Sequence, residues 1–329
     1  MDNITHTLTG LMLSRAGMNR FCPHAAAILM LAANAPDIDV VAAAGGTLRY
    51  LEYHRACTHS LVGIPFVALL PVLVVWLFSR KEFPWWRAYL ISLVGTATNP
   101  LLDWTNSYGV RLLWPFSAEW YSAGFFALTD ACVLAVLLLA LAAPAVSRLV
   151  SSEIGARSGT GRGWAVFALC FVVIYGFGRY LLHDRALATL DSRIYAGQAP
   201  VRVAAFPTAF SPFRWVGLAE ARGFYSVYED MNLLSDFDST AGKIYYKSAP
   251  GPEIERARNT ETFKIFLGFA QYPLWGVTPA TEFEGGRVVE VMDLRFGRPP
   301  SSHLVAIAVL DGTLSVRSEK FDFKSSGAR

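Results

Sequence analysis

Four apolar stretches constrain this chain more than any other feature: roughly Leu61–Phe78, Ala88–Leu102, Phe125–Val146 and Trp164–Leu182. A helix needs about 20 mostly apolar residues to cross a bilayer. The second stretch reaches that length once Trp85 and Trp86 are counted as interfacial aromatics. A fifth segment, Pro23–Ala44, is long enough but carries Asn34, Pro36, Asp37 and Asp39, and a sixth, Thr5–Leu13, is short and opens beside His6. The expected fold is therefore an α-helical polytopic membrane domain with about five to six membrane segments. Charge divides the chain in two. Residues 1–182 hold 21 Asp, Glu, Lys and Arg, whereas residues 183–329 hold 34, which gives the second part the texture of a water-facing domain.

Within that second part, Val201–Phe206, Lys243–Tyr246, Val288–Leu294, Leu304–Leu310 and Leu314–Val316 read as strands, and Asp311-Gly312 is a hairpin turn signal. The division expected is a helical membrane domain over 1–183, a linker over 184–199 and a small β-rich soluble domain over 200–325. Lys and Arg in the short loops orient the chain. Arg15, Arg20, Arg80, Lys81, Arg87, Arg148, Arg157 and Arg162 lie on one side, against Arg49, Arg55 and Arg111 on the other. The side rich in positive charge is cytoplasmic. The loops Ser79–Arg87 and Ser151–Gly163 are then expected in the cytoplasm, the β-rich domain outside it, and the whole chain as a multi-pass protein of the cell's inner (plasma) membrane. A net charge of +3 gives no case for a nucleic-acid partner. Cys22, Cys57, Cys132 and Cys170 all fall in the apolar half, form no CxxC pair and read as small apolar residues.

Ionisable groups at membrane depth cost about 2.5 kcal/mol or more each, and here they gather in four strings. These are Ile4-Thr5-His6, Asn34-Ala35-Pro36-Asp37-Ile38-Asp39, His54-Arg55-Ala56-Cys57-Thr58-His59-Ser60 and Asn99-Pro100-Leu101-Leu102-Asp103-Trp104-Thr105-Asn106. The expected topology brings all four to the extracytoplasmic side. Pro36 breaks the helix between Asn34 and Asp37, and broken backbone at that depth lines protein or a wet cavity. Imidazole and carboxylate together suit a divalent metal, zinc first, manganese or magnesium where carboxylates dominate. The candidate metal ligands are His6, Asp37, His54, His59 and Asp103. The candidate catalytic residues are Asp39 as a general base, Arg55 as a fork for an anionic substrate oxygen and Asn106 beside them. Thr58, Ser60 and Asn106 are near enough in sequence to support the ligands. Asp130, inside an apolar run, is either a supporting group of that site or a helix-packing residue.

The four strings in this order resemble the YdjM-type family of inner-membrane, metal-dependent hydrolases. The resemblance runs over about residues 1–130. It is carried by Asp2–Gly10 (D-x-I-T-H-x-L-T-G), Asn34–Asp39 (N-x-P-D-x-D), His54–Ser60 (H-R-x-x-T-H-S) and Pro100–Gly109 (P-L-L-D-x-x-N-x-Y-G). It implies a His immediately before the P-L-L-D string, where this chain has Asn99, a poor zinc ligand. The strings Pro212-Phe213-Arg214-Trp215 and Asp293-Leu294-Arg295-Phe296 also look familial.

The function expected is hydrolysis of an ester or phosphoester by metal-activated water, with membrane lipids as neighbours and a lipid or envelope compound as substrate. Two other classes fit the same residues. An ion-binding transporter also uses broken helices with carboxylates at depth, and a non-catalytic membrane scaffold would present the β-rich domain to partners.

Overall fold

The computed structural model describes residues 1–79, 83–154, 161–300 and 302–323. Arg80, Lys81 and Arg157, with the middle of both loops expected in the cytoplasm, lie outside the described residues. The chain begins on helix α1 (Asn3–Ala16), capped by Asp2, whose Oδ1 accepts from the Thr5 amide at 2.9 Å. Helix α2 (Ala25–Ala32) lies directly against α1. At Gly10 a Cβ would come 2.4 Å from the Leu29 carbonyl oxygen, so only glycine permits this approach. After α2 the chain tightens into 3₁₀ turns over Ala35–Gly45, with Pro36 in the first turn. Helix α3 (Thr47–Tyr53), a 3₁₀ turn over Cys57–His59, and helices α4 (Ile64–Val67), α5 (Leu69–Phe78), α6 (Trp85–Trp104), α7 (Ala131–Ile154) and α8 (Arg162–Asp191) follow.

Among the described residues, α8 alone is an unbroken helix long and apolar enough to cross a membrane. Two bent pairs also qualify if each counts as one span. They are Ala25–Ala32 with Ala35–Gly45, broken by 43°, and Thr47–His59 with Ile64–Phe78, broken by 85°. The count is thus one clear span and up to three, against the five to six expected from composition. Particular residues account for the difference. Helix α6 has the length, but Ser92, Thr96, Thr98, Asn99 and Asp103 dilute it. The run beginning at Phe125 is not helical until Ala131. Phe125 and Phe126 donate to the Thr105 carbonyl at 2.9 and 3.0 Å, and Asp130 caps α7 by accepting from the Cys132 and Val133 amides at 3.1 and 3.2 Å.

Helix α8 is about 45 Å long at 1.5 Å per residue and runs past position 183 to Asp191. Its last turns dock on the β region. His183 Nε2 lies 3.1 Å from the Ala205 carbonyl oxygen. The buried Arg179 donates to the Phe125 and Ser211 carbonyls at 3.0 and 3.1 Å, with its guanidinium over the Trp215 ring.

Two four-stranded antiparallel meanders make up the rest. The first is β1 (Arg202–Pro207), β2 (Arg214–Glu220), β3 (Phe224–Asn232) and β4 (Lys243–Tyr246). After helices α9 (Pro252–Arg258) and α10 (Glu261–Phe269) comes the second: β5 (Pro273–Pro279), β6 (Arg287–Asp293), β7 (Leu304–Leu310) and β8 (Val316–Phe323). Leu218, Tyr225 and Val227 of the first sheet share a core with Leu274, Met292, Val305 and Ile307 of the second. The other face of the second sheet is covered by Ile254 of α9 and by Phe263 and Phe266 of α10, and Leu48 and Leu51 of α3 join this cluster. Thr47 Oγ1 donates to the Phe321 carbonyl at 2.8 Å. Through α3, the segment between the Asp37 and His54 strings is fastened to the β region.

Candidate metal centre

The strings meet because each lies beside an abrupt change in backbone direction. His6 falls in the second turn of α1, fixed by the Asp2 cap. Asp37 and Asp39 sit in the 3₁₀ turns that follow the break at Pro36. His54 ends α3, and Arg55 has φ of +55°, a left-handed conformation that costs a non-glycine residue of order 1–3 kcal/mol. The next turn is closed by Ser60, whose Oγ donates to the Cys57 carbonyl and accepts from the Gly63 amide, both at 2.9 Å. A Cβ at Gly63 would strike the Cys57 carbonyl oxygen, so glycine is required for this fold-back. Asp103 arrives from the end of α6, one turn after Asn99.

Three ligand atoms converge. His59 Nε2 lies 3.5 Å from Asp37 Oδ1 and 3.5 Å from Asp103 Oδ2. One ligand atom from each of Asp37, His59 and Asp103 falls within 4.8 Å of the others, so the three can hold a metal ion. Ligands about 2.0–2.2 Å from a tetrahedral ion stand about 3.3–3.6 Å apart, which the two 3.5 Å separations match. The donors are also unspent. His59 Nε2, Asp103 Oδ2 and both ring nitrogens of His6 are buried with no hydrogen-bond partner, whereas buried polar atoms in folded proteins nearly always have one. His6 Nε2 lies 3.5 Å from Asp103 Oδ1, at the edge of the same group.

A second layer orients these ligands. Asp39 Oδ2 accepts from the Arg55 amide at 2.7 Å and from Thr58 Oγ1 at 3.3 Å, and lies 3.3 Å from His59 Nδ1. Its Oδ1 is 3.0 Å from His54 Nδ1. Asp39 therefore holds two imidazoles by their Nδ1 atoms and leaves His59 Nε2 facing Asp37 and Asp103, the usual service of a carboxylate behind a metal-binding His. Thr58 Oγ1 also lies 3.0 Å from His59 Nδ1.

The residues expected to be catalytic, Asp39, Arg55 and Asn106, surround the three grouped ligand residues. Arg55, read from sequence as a substrate fork, is buried. Its Nη2 lies 2.9 Å from Asp103 Oδ1, its Nη1 donates to Gly109 O at 3.2 Å and Asn106 Oδ1 at 3.4 Å, and its guanidinium lies over the Tyr108 ring. Asp103 Oδ1 also meets the Met1 amino group. Asn106 Oδ1 accepts from the Tyr108 and Gly109 amides at 2.8 and 3.3 Å, so Asn106 shapes the loop that grips Arg55. His54 sits beside Asp39, 6.1 Å from His59 between ring centroids, outside the closest group of three.

Sequence reasoning gave no supporting role to two residues that have one. Asn99 Nδ2 donates to Asp37 Oδ2 at 3.0 Å and to the Ala33 carbonyl at 2.9 Å. It was visible only as a departure from an expected His, yet it holds a ligand in place. Tyr108, half-buried among Trp120, Phe269 and Phe296, carries Arg55 on its ring. Its one mark in the sequence is its place as the fixed Tyr of the P-L-L-D-x-x-N-x-Y-G string, which says nothing of Arg55.

Comparison with known proteins adds to this geometry. The chain is similar to the uncharacterized protein YfhP of Bacillus subtilis (strain 168), at 24% identity over 336 residues covering 97% of this chain and 94% of the relative. No solved structure matches the chain. A family model described as YdjM inner membrane protein matches residues 1–186, the stretch that carries all four polar strings and most of α8. On that match the chain belongs to the YdjM inner membrane protein family.

Proposed function

We propose that this chain is a membrane-embedded, metal-dependent hydrolase of an ester or phosphoester in a lipid or envelope compound. The observation that carries the reading is the set of buried, partnerless ligand atoms on His59 and Asp103, facing Asp37. Asp37, His59 and Asp103 hold the ion, and His6 is near enough to complete the set. Zinc suits this mixture of imidazole and carboxylate, with manganese or magnesium as alternatives. A divalent ion in such a site supplies Lewis acidity and makes water a nucleophile near neutral pH.

The chain's own residues do the rest. Asp39 fixes the His59 ring through Nδ1. Arg55 offsets the charge of Asp103 and is held by Asn106 and Tyr108. His54, paired through Nδ1 with Asp39 and 12% exposed, keeps Nε2 as the atom that can take up and release a proton. The 43° break at the Asp37 string supports a second reading, because ion pathways use the same device.

Metal content decides first. Protein purified in detergent and dialysed against a weak chelator is expected to retain stoichiometric divalent metal, and His59→Ala and Asp103→Ala are expected to lose it together with hydrolysis of ester and phosphoester reporters. Wild-type protein as metal-poor as the variants overturns the proposal. Stoichiometric metal with ion flux in proteoliposomes and no hydrolysis moves the assignment to transport.

A further inference from the structure

Of the three grouped ligands, only Asp37 reaches the surface. Its side chain is 19% exposed, while those of His59 and Asp103 are fully buried. A compound that meets the group must therefore come past Asp37. Asp37 lines a groove of about 360 Å³ whose walls are Leu31 of α2, Ile38 of the 3₁₀ turns, and Leu70 and Val74 of α5. These four apolar side chains are each between 40% and 48% exposed. They belong to the two bent pairs whose length and composition, each pair taken as one span, suffice to cross a membrane, so the groove opens among segments of membrane-spanning composition. Asn34 shares the groove, and its buried Oδ1 has no hydrogen-bond partner.

We propose that this groove seats the alkyl chain of a bilayer lipid, which reaches the centre sideways from the membrane and presents its ester or phosphoester beside Asp37. The inference deepens the hydrolase reading and rests on it for the chemistry, although lipid seating itself does not depend on metal. Apolar walls leading to a carboxylate and an unpaired amide oxygen suit an amphiphile: the walls take the chain, and the two acceptors suit the hydroxyl or ammonium donors of a head that flank its ester. A water-soluble phosphoester would leave the walls unused, and exposed apolar surface gathered in one concave place marks a binding site for apolar matter.

Photolabelling tests the occupant. The full chain is reconstituted in vesicles of phosphatidylethanolamine and phosphatidylglycerol, with a trace of phosphatidylglycerol bearing a diazirine on its acyl chain. After illumination, labelled residues are identified by mass spectrometry. Leu70 and Val74 are expected to be labelled several-fold above Val173 and Ile174, which are 72% and 71% exposed on α8 and report ordinary lipid contact. Val74→Trp is expected to abolish that excess with metal content unchanged, and Leu31→Trp on the facing wall gives a second blocked groove should the first variant fail to fold. Labelling equal to that of Val173 and Ile174, or an excess that survives both tryptophans, overturns the proposal. His59→Ala is expected to leave the labelling in place, so the groove and the metal centre are judged by separate readouts.

Discussion

In the β region, Asp293 and Arg295 are buried and fully spent. Asp293 accepts from the Gln271 and Arg295 amides at 2.9 and 3.0 Å, and Arg295 donates to Asp293, to Ser107 O at 2.9 Å and to Phe269 O at 2.7 Å. In the helical half, Asp37, His59 and Asp103 also bring charge inside, but there His59 Nε2 and Asp103 Oδ2 have no hydrogen-bond partner. The Asp293–Arg295 string, which looked familial in sequence without a visible role, is a self-contained fastening between β6, α10 and the loop after α6. The helical group is the opposite case, with carboxylates and imidazoles crowded together while their outward atoms stay unspent. Buried charge that is completely paired belongs to the architecture, and buried charge left open belongs to whatever ion or substrate completes it.

The sharpest way to break that comparison is Arg295→Ala. Removing one partner of a buried pair costs about 3–5 kcal/mol, so chemical denaturation in detergent should show the β region unfolding at markedly lower denaturant. A loss below about 1 kcal/mol, the scale of an exposed pair, would mean that the pair is not the fastening described. Next comes Asn99→Leu. Outer-layer partners of metal ligands are worth about 10–100-fold in metal affinity, and titration calorimetry should show a loss in that range with the fold intact. Unchanged affinity would remove Asn99 from the support of Asp37.

The smallest effect is expected at the β7–β8 hairpin. Asp311 Oδ1 accepts from Thr313 Oγ1 at 2.6 Å and from the Ser315 and Thr313 amides at 3.0 and 2.8 Å, and Oδ2 pairs with Arg317. The Thr313 hydroxyl, the Ser315 and Thr313 amides and the Arg317 guanidinium hold its carboxyl below the ordinary aspartate range. A carboxyl whose pKa is lower folded than unfolded stabilises above the unfolded value, near 3.9, and loses that contribution as pH falls through it toward the folded value. Thermal melts of the wild type should therefore weaken below about pH 4 more than those of Asp311→Asn. Parallel pH profiles would count against the assignment.

The two regions also differ in how far sequence reaches. The strings holding His6, Asp37, His59 and Asp103 stood out because ionisable residues in apolar runs have few other reasons to be there. The Asp311-Gly312 turn was equally plain, and β7 and β8 flank it. What stayed hidden depends on distant partners. Strand β2 carries Gly217, β5 carries Gly276 between two prolines and β3 ends on Glu229, Asp230 and Asn232, and all three owe their pairing to neighbouring strands. The direction of the Arg55 guanidinium is set by Asn106, Gly109 and Tyr108, more than fifty positions downstream. The break at Pro36 was legible, whereas length and apolarity say nothing of the cap at Asp130 that starts α7 only at Ala131, and one to three of the five to six expected crossings stand out in the structure.

The contact between Thr47 and Phe321 has a consequence for synthesis. These residues are 274 positions apart, and α3 shares its core with the second sheet. The segment joining Asp39 to His54 cannot reach its final packing on the ribosome until β8 has emerged. The flank of the centre therefore waits on β8, although the centre's own residues are translated in the first third.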